Sequence, residues 1–83
     1  MSDLAWIERA EAELRRRVRA GGLPDSLAEE LLDQVALIVG EPNDRRAWGR
    51  VIQLLAGEGA LKHVGYRRAR SSNGSPKPVW RAM

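Results

Sequence analysis

The 83-residue sequence contains no cysteine, which excludes disulfide bonds and thiolate zinc sites and fits a reducing compartment. It has no apolar run approaching the ~20 residues that a membrane-spanning helix needs. The N-terminal stretch MSDLAWIERAEAEL is charged throughout, so it lacks the pattern of a secretory signal peptide. We therefore expect a cytoplasmic protein without a membrane partner.

Acidic residues are missing from one end of the chain. Residues 61–83 carry six basic side chains and no acidic one, whereas residues 1–60 carry eight basic and eleven acidic side chains. The net charge of +3 thus combines a segment of +6 with a segment of −3. Segregated positive charge is typical of a nucleic-acid contact, and a solvated basic tail would have the same composition. Charge alone leaves both interpretations open.

Patterns of catalytic and metal-binding residues are also scarce. His63 is the one histidine, and no H-E-x-x-H, Walker or G-x-S-x-G pattern occurs. The carboxylates cluster on the second predicted helix without a partner cluster suited to a metal. We expect a protein that is not an enzyme and needs no cofactor, with His63 an ordinary strand residue.

Apolar periodicity predicts three helices in a single domain of residues 1–83, at about 2–20, 26–39 and 44–57. The predicted apolar stripe of the first helix consists of Leu4, Ile7, Ala10, Leu14 and Val18. Trp6 lies off this stripe, where we expect it to pack against a second face, with a partner contact as the alternative. Ser26 and Glu29 have the spacing of a capping box for the second helix. Asn43 is the predicted cap of the third helix, after a connection of about four residues.

The basic C-terminal segment predicts a β-hairpin at about 61–82. Asn73-Gly74 is a strong signal for a tight turn. An isolated hairpin is only marginally stable, so it must pack against the helices. We expect Tyr66, Val79 and Trp80 to make that contact.

The third helix divides into two faces on a helical wheel. Its apolar side chains are Trp48, Val51, Ile52 and Leu55. The opposite stripe consists of Arg46, Gly49, Arg50, Gln53 and Gly57. Three helices followed by a basic hairpin predict a mainly α fold with a small β-hairpin, in the arrangement of a winged helix-turn-helix. There the third helix enters the DNA major groove and the hairpin, the wing, contacts the adjacent backbone or minor groove.

Residues 40–82 also resemble a family of small winged-helix proteins common in bacteriophages and prophages, particularly those of actinobacteria. The resemblance is carried by Ala47-Trp48-Gly49, the helix end Gly57–Leu61, His63–Arg67 and Val79-Trp80-Arg81. It implies DNA binding at the level of fold. Members of the family often have His-Pro-Asn-Ala ahead of Trp-Gly, where this chain has Asp44–Ala47.

The predicted DNA contacts follow from side-chain chemistry. Arg46 and Arg50 can each grip guanine O6 and N7 with two hydrogen bonds, and Gln53 can read adenine in the same way. Arg45, at the edge of the helix, is expected to meet phosphate. The predicted wing contacts with phosphate or the minor groove are Arg67, Arg68, Arg70 and Lys77.

Two functions remain open at this point. The first is a duplex DNA-binding protein, a regulator of transcription or an accessory of replication or recombination, located in the bacterial host cytoplasm or nucleoid. The second is a protein-interaction adaptor or inhibitor of a host protein, which could use Trp6, Leu37, Leu54 and the acidic second helix. The long first helix could supply a homodimer interface.

Overall fold

The computed structural model describes residues 2–68 and 75–83. In this part of the chain three helices precede a three-stranded antiparallel sheet whose spatial order is β1-β3-β2. The elements are α1 (Leu4–Ala20), β1 (Ser26–Leu27), α2 (Ala28–Val39), α3 (Arg46–Gly57), β2 (Leu61–Arg68) and β3 (Pro76–Ala82). The predicted helices and C-terminal hairpin are thereby confirmed. Asn73-Gly74, the predicted turn, lies outside the described residues.

The short strand β1 replaces the predicted start of the second helix. Ser26 pairs with Trp80 in the ladder between β1 and β3, and the Ser26 hydroxyl donates to the Pro24 carbonyl over 2.7 Å. The predicted Ser26–Glu29 capping box is therefore wrong. The Glu30 carboxylate instead accepts a hydrogen bond from the Leu27 backbone N–H over 2.8 Å, one residue later. Pairing with β3 keeps these two residues extended, so the helix begins after them.

The buried face of α1 is rotated from the predicted stripe. Trp6 is only 5% exposed, whereas Leu4 is 62% exposed. The Trp6 indole N–H donates to the Gly40 carbonyl over 2.7 Å, and its ring meets the Trp48 ring edge to face at 6.1 Å. These contacts satisfy the one polar atom of a large apolar side chain. Trp6 therefore determines which face of α1 meets the other helices.

A buried carboxylate accompanies this face. The Glu13 side chain of α1 is buried and forms ion pairs with Arg16 and Arg17, both at 2.7 Å. Its hydrogen bond from Arg16 holds the pKa of the carboxyl below its ordinary value, in spite of the opposing effect of burial. The charge can be buried because both arginines lie within a turn of it.

The connection from α2 to α3 is longer than predicted, spanning residues 40–45. The Asp3 carboxylate accepts hydrogen bonds from the backbone N–H groups of Asn43 and Asp44, over 2.9 and 3.0 Å. The prediction that Asn43 caps α3 is wrong, because α3 begins at Arg46 and its N-cap position is Arg45. The Asp44 carboxylate accepts from the Arg46 N–H over 2.9 Å and satisfies the start of α3.

The sheet packs on the helices through two groups of apolar residues. Leu61 is buried in the main core with α1, α2 and α3, and Trp80 packs against this cluster. Leu27 and Val79 form a smaller cluster with Val64 beside it. Tyr66, predicted to be a core contact, is 68% exposed. A bulge between His63 and Gly65 shifts the register here, and Tyr66 pairs with Pro78 rather than lying over the helices.

No helix in the part of the chain that the structure describes is long and apolar enough to cross a membrane.

The rotation of α1 predicts that Trp6→Ala and Leu4→Ala will differ strongly in stability. Loss of a buried tryptophan should lower the free energy of unfolding by about 3–5 kcal/mol. Leu4→Ala should change it by less than about 0.5 kcal/mol, because the side chain is exposed. Urea unfolding followed by circular dichroism measures both, and equal losses would contradict this packing.

Candidate nucleic-acid interface

The orientation of α3 follows from its buried face. Trp48, Val51, Ile52 and Leu55 are all buried in the main core. The Trp48 indole N–H also donates to the Ala28 carbonyl over 2.6 Å, so the helix is anchored to the start of α2. The predicted outward stripe is consequently exposed along its whole length, at Arg46, Gly49, Arg50, Gln53 and Gly57.

The two glycines in this stripe are not required by the fold. A β-carbon placed on Gly49 or Gly57 would meet no atom within 4 Å, and neither residue has the positive φ that favours glycine. Glycine in a helix is nonetheless less favourable than alanine by roughly 1 kcal/mol. The stripe therefore carries a helix-destabilising residue at Gly49 for which internal packing offers no reason.

The predicted contact residues of α3 differ in their partners. Arg46 is held by the Asp44 carboxylate in an ion pair with a shortest distance of 2.7 Å. Arg45, Arg50 and Gln53 are exposed, and they form no side-chain hydrogen bond or ion pair with another residue among 2–68 and 75–83. Three of the four predicted side chains on this helix can thus receive a ligand without breaking an internal bond.

The wing residues also fall into two groups. Arg67 forms an ion pair with Glu30 of α2. Arg68 and Lys77 are exposed and have no such partner within the described segments. Arg70, the remaining predicted contact, lies outside the described residues.

Like charges face each other across the hairpin. Arg67 is the ladder partner of Lys77, and Lys62 is the partner of Arg81. Such directly opposed like charges destabilise an antiparallel pair. The carboxylates of Glu30 and Asp25 each neutralise one member, Arg67 and Arg81 respectively.

One groove lies between α3 and the hairpin β2–β3. It has a volume of about 320 Å³ and lies between the start of α2, the start of α3 and β3. Arg45 and Lys77 both line it, over an apolar floor that includes Trp48 and Pro78, with Glu29 on the side of α2. Arg67 and Arg68 line a different groove, of about 400 Å³, which also contains Glu29, Glu30 and Asp33.

The structure therefore separates the predicted contact residues into three places. Arg46, Arg50 and Gln53 share the exposed stripe of α3. Arg45 and Lys77 share the groove between α3 and the hairpin, where the positive residues outnumber the acidic one. Arg67 and Arg68 face the acidic start of α2, which weakens the attraction of that part of the hairpin for an anion.

The sequence interpretation missed the acidic residues that hold these arginines. Asp44 binds Arg46, Glu30 binds Arg67 and Asp25 binds Arg81. Asp44 could have been found, because it stands two residues before Arg46 at a helix start. Asp25 and Glu30 could not, since their partners are 56 and 37 residues away.

His63 lies in β2, as predicted. Its Nε2 is 2.8 Å from the Gly65 carbonyl, and its ring meets the Tyr66 ring edge to face at 4.8 Å. The described residues contain no group of three or more histidine, cysteine or acidic side chains that could hold a metal ion.

The chain matches no protein-family model, no curated protein and no solved structure.

The ion pairs predict lowered carboxyl pKa values. The hydrogen bond from Arg81 holds the pKa of Asp25 below its ordinary value of 3.8, and that from Arg46 does the same for Asp44. Because these pKa values are depressed on folding, the stabilisation is present above about pH 4 and is lost as the pH falls through the lowered pKa.

Carboxyl-carbon NMR titration measures these pKa values directly. Arg81→Gln should raise the pKa of Asp25 toward 3.8 and leave that of Asp44 unchanged. Arg46→Gln should raise the pKa of Asp44 toward 3.8 and leave that of Asp25 unchanged. An Asp25 titration that is the same in wild type and Arg81→Gln would show that this ion pair does not form in solution.

Proposed function

We propose that this protein is a winged helix-turn-helix that binds duplex DNA without catalysing a reaction. The observation that carries the proposal is the exposed stripe of α3, which has two arginines, one glutamine and two glycines and is exposed along its length. A helix of this kind suits the major groove, where arginine and glutamine side chains can read base edges. The glycines would let the backbone approach the DNA closely.

The order of elements supports the finer architecture. The short strand β1, between α1 and α2, pairs with β3, the last strand of the hairpin. The sheet therefore connects a segment that precedes α3 in the chain with the hairpin that follows it. α2 and α3 form the helix-turn-helix in this proposal. The hairpin β2–β3 forms the wing and would reach the backbone or minor groove next to the site of α3.

Each element has a separate role in this proposal. Arg46 and Arg50 read guanine, and Gln53 reads adenine. Arg45 and Lys77, which line one groove, both meet phosphates next to the site of α3. Arg67, Arg68 and Arg70 add phosphate or minor-groove contacts.

The charge pattern of the hairpin favours an anionic partner. Glu30 and Asp25 neutralise one member of each like-charge pair, which leaves Lys77 and Lys62 without a carboxylate partner among the described residues. A phosphate backbone could pair with these two lysines, whereas a partner without charge could not.

A transcription regulator and a replication or recombination accessory would both use this surface, in the cytoplasm or nucleoid of a bacterial host. Phage or prophage origin is proposed on the resemblance of residues 40–82 alone. A homodimer on a palindromic site is compatible with the same groove contact.

A protein-interaction adaptor is the second candidate function. Leu37 is 84% exposed, and its neighbour Ile38 and Leu54 of α3 are also exposed. Trp6, which the sequence suggested for such a surface, is buried and cannot contribute. If the protein fails to bind any duplex in the titrations below, the exposed leucines favour this second function.

The proposed phosphate contact of Arg45 predicts a change in salt dependence. Arg45→Ala should weaken binding to all duplexes alike and reduce the slope of log K against log salt by about 0.9. Fluorescence anisotropy over a range of salt concentrations measures this slope. Arg9→Ala removes an equally exposed arginine from α1 and should leave both affinity and slope unchanged. Equal effects of the two variants would indicate general electrostatic attraction rather than this contact.

Gly49→Ala should have opposite effects on folding and on binding. Alanine should raise the free energy of unfolding by as much as about 1 kcal/mol, because the site is helical and open. It should weaken duplex binding, because its methyl group faces the DNA. Gly57→Ala, at the far end of the same stripe, should have a smaller effect on binding, since a recognition helix contacts base edges with its N-terminal residues.

Urea unfolding and anisotropy on the same samples measure both quantities. Duplex binding by Gly49→Ala that is equal to or tighter than wild type would contradict the placement of α3 against DNA.

A further inference from the structure

The first residue of α3 is held by a carboxylate in a particular geometry. Asp44 Oδ2 lies 3.0 Å from Arg46 Nε and 2.7 Å from Arg46 Nη2, and Asp44 Oδ1 lies 3.2 Å from Nε. The same Oδ1 accepts the Arg46 backbone N–H over 2.9 Å. The carboxylate is therefore fixed by the helix start and in turn fixes the guanidinium.

This contact occupies only one edge of the guanidinium. An arginine has five N–H donors in a planar fork. Asp44 takes the edge formed by Nε and Nη2, and the edge formed by Nη1 and Nη2 is left without a partner in the described part of the chain. The side chain is 92% exposed, so this second edge is open to a ligand.

The open edge has the donor spacing that guanine requires. Two parallel N–H groups of arginine can donate to O6 and N7 of guanine in the major groove, which is the commonest base-specific contact. A side chain already restrained by Asp44 has fewer conformations to lose on binding than a free arginine. Arg50, one turn later on the same stripe, lacks such a carboxylate among the described residues.

The carboxylate also has an effect on DNA of the wrong sequence. A negative charge at the start of α3 repels the phosphate backbone of any duplex, and its orientation of Arg46 favours binding only where Arg46 meets a guanine. Specificity is the difference between the affinity for a duplex with that guanine and the affinity for a duplex without it. Asp44 thus lowers non-specific affinity while favouring one base.

We propose that Asp44 is a positioning residue that presents Arg46 to a guanine, making this pair the specificity determinant of the protein. This inference rests on the proposed function, in which Arg46 reads guanine, and it adds the residue that orients Arg46 and makes this contact the specific one. Arg50 contributes affinity and a second contact, without the same dependence on Asp44.

The test begins with selection of bound duplexes from a random pool by the wild-type protein. Each guanine of the selected site is then replaced by 7-deazaguanine, which lacks the N7 acceptor. In the wild type, one position should show a loss of affinity of roughly 5- to 100-fold that is absent in Arg46→Ala. Arg46→Lys, which keeps the charge without the planar fork, should show a smaller loss, because an ammonium can still donate to N7 but lacks the two parallel N–H groups.

Asp44→Asn is the decisive variant. Asparagine keeps a side-chain oxygen for the Arg46 backbone N–H, so α3 can still be capped, and circular dichroism with thermal unfolding verifies the fold. The 7-deazaguanine effect at the Arg46 position should fall several-fold, and binding to unrelated duplexes should become tighter. The effect at the guanine read by Arg50 should not change.

The outcomes separate the inference from the proposed function. Failure of the wild type to bind any duplex would overturn both. Duplex binding without a selected guanine, or an unchanged 7-deazaguanine effect in Asp44→Asn, would overturn the inference and leave duplex binding intact. Equal tightening of Asp44→Asn on selected and unrelated duplexes would show that Asp44 only repels phosphate, which also overturns it.

Discussion

The burial of Trp48 is the constraint on which the arrangement of the exposed surface depends. Its indole N–H meets the Ala28 carbonyl, and its ring meets Trp6 of α1, so one side chain links all three helices. A polar atom buried without a partner would destabilise the fold, which makes these contacts specific in direction. The rotation of α3 about its axis is thereby determined. Arg46, Arg50 and Gln53 face outward because the buried contacts of Trp48 hold the opposite face of α3 against the core.

Carboxylates impose a second constraint, on the positive side chains. The excess of charge in residues 61–83 is only partly available, because Arg67 and Arg81 are paired with acids of the α2 region. Exposed ion pairs contribute little to stability, typically less than about 1 kcal/mol. Their larger effect is on the distribution of charge. Among the described residues, the unpaired cations of the hairpin and of α3 with its N-cap residue then include Arg68, Lys77, Arg45 and Arg50. Two of these, Arg45 and Lys77, line the same groove.

The sequence predicts the fold better than it predicts the contacts within the site. Helical periodicity locates α1, α2 and α3, and the strand character around Val64 and Val79 locates the two strands of the hairpin. The rotation of α1 is not predictable in this way, because Trp6 is buried by long-range contacts with Gly40 and Trp48. Strand β1 is not predictable either, because two residues are too few to show a periodicity and their extended conformation depends on pairing with β3. The outward stripe of α3 is predictable because Trp48 and three aliphatic residues define one face. The ion pairs of Asp25 and Glu30 are not, because they join distant parts of the chain.

In the proposed function, this division of charge assigns affinity and specificity to different elements. The hairpin and Arg45 carry cations that the proposal does not assign to base edges, so their attraction for a duplex would be independent of sequence and would weaken with salt. Arg46 is exposed, but the Asp44 carboxylate beside it cancels much of its charge as felt by a distant phosphate. In the proposed function, the contribution of Arg46 to binding therefore depends on a base that matches the geometry of its free edge. One local arrangement that opposes folding, Gly49 in the interior of α3, lies on the same exposed stripe as Arg46. Natural proteins concentrate such conflicts at functional sites. The helix-destabilising Gly49 thus points to the same surface as the exposed cations do.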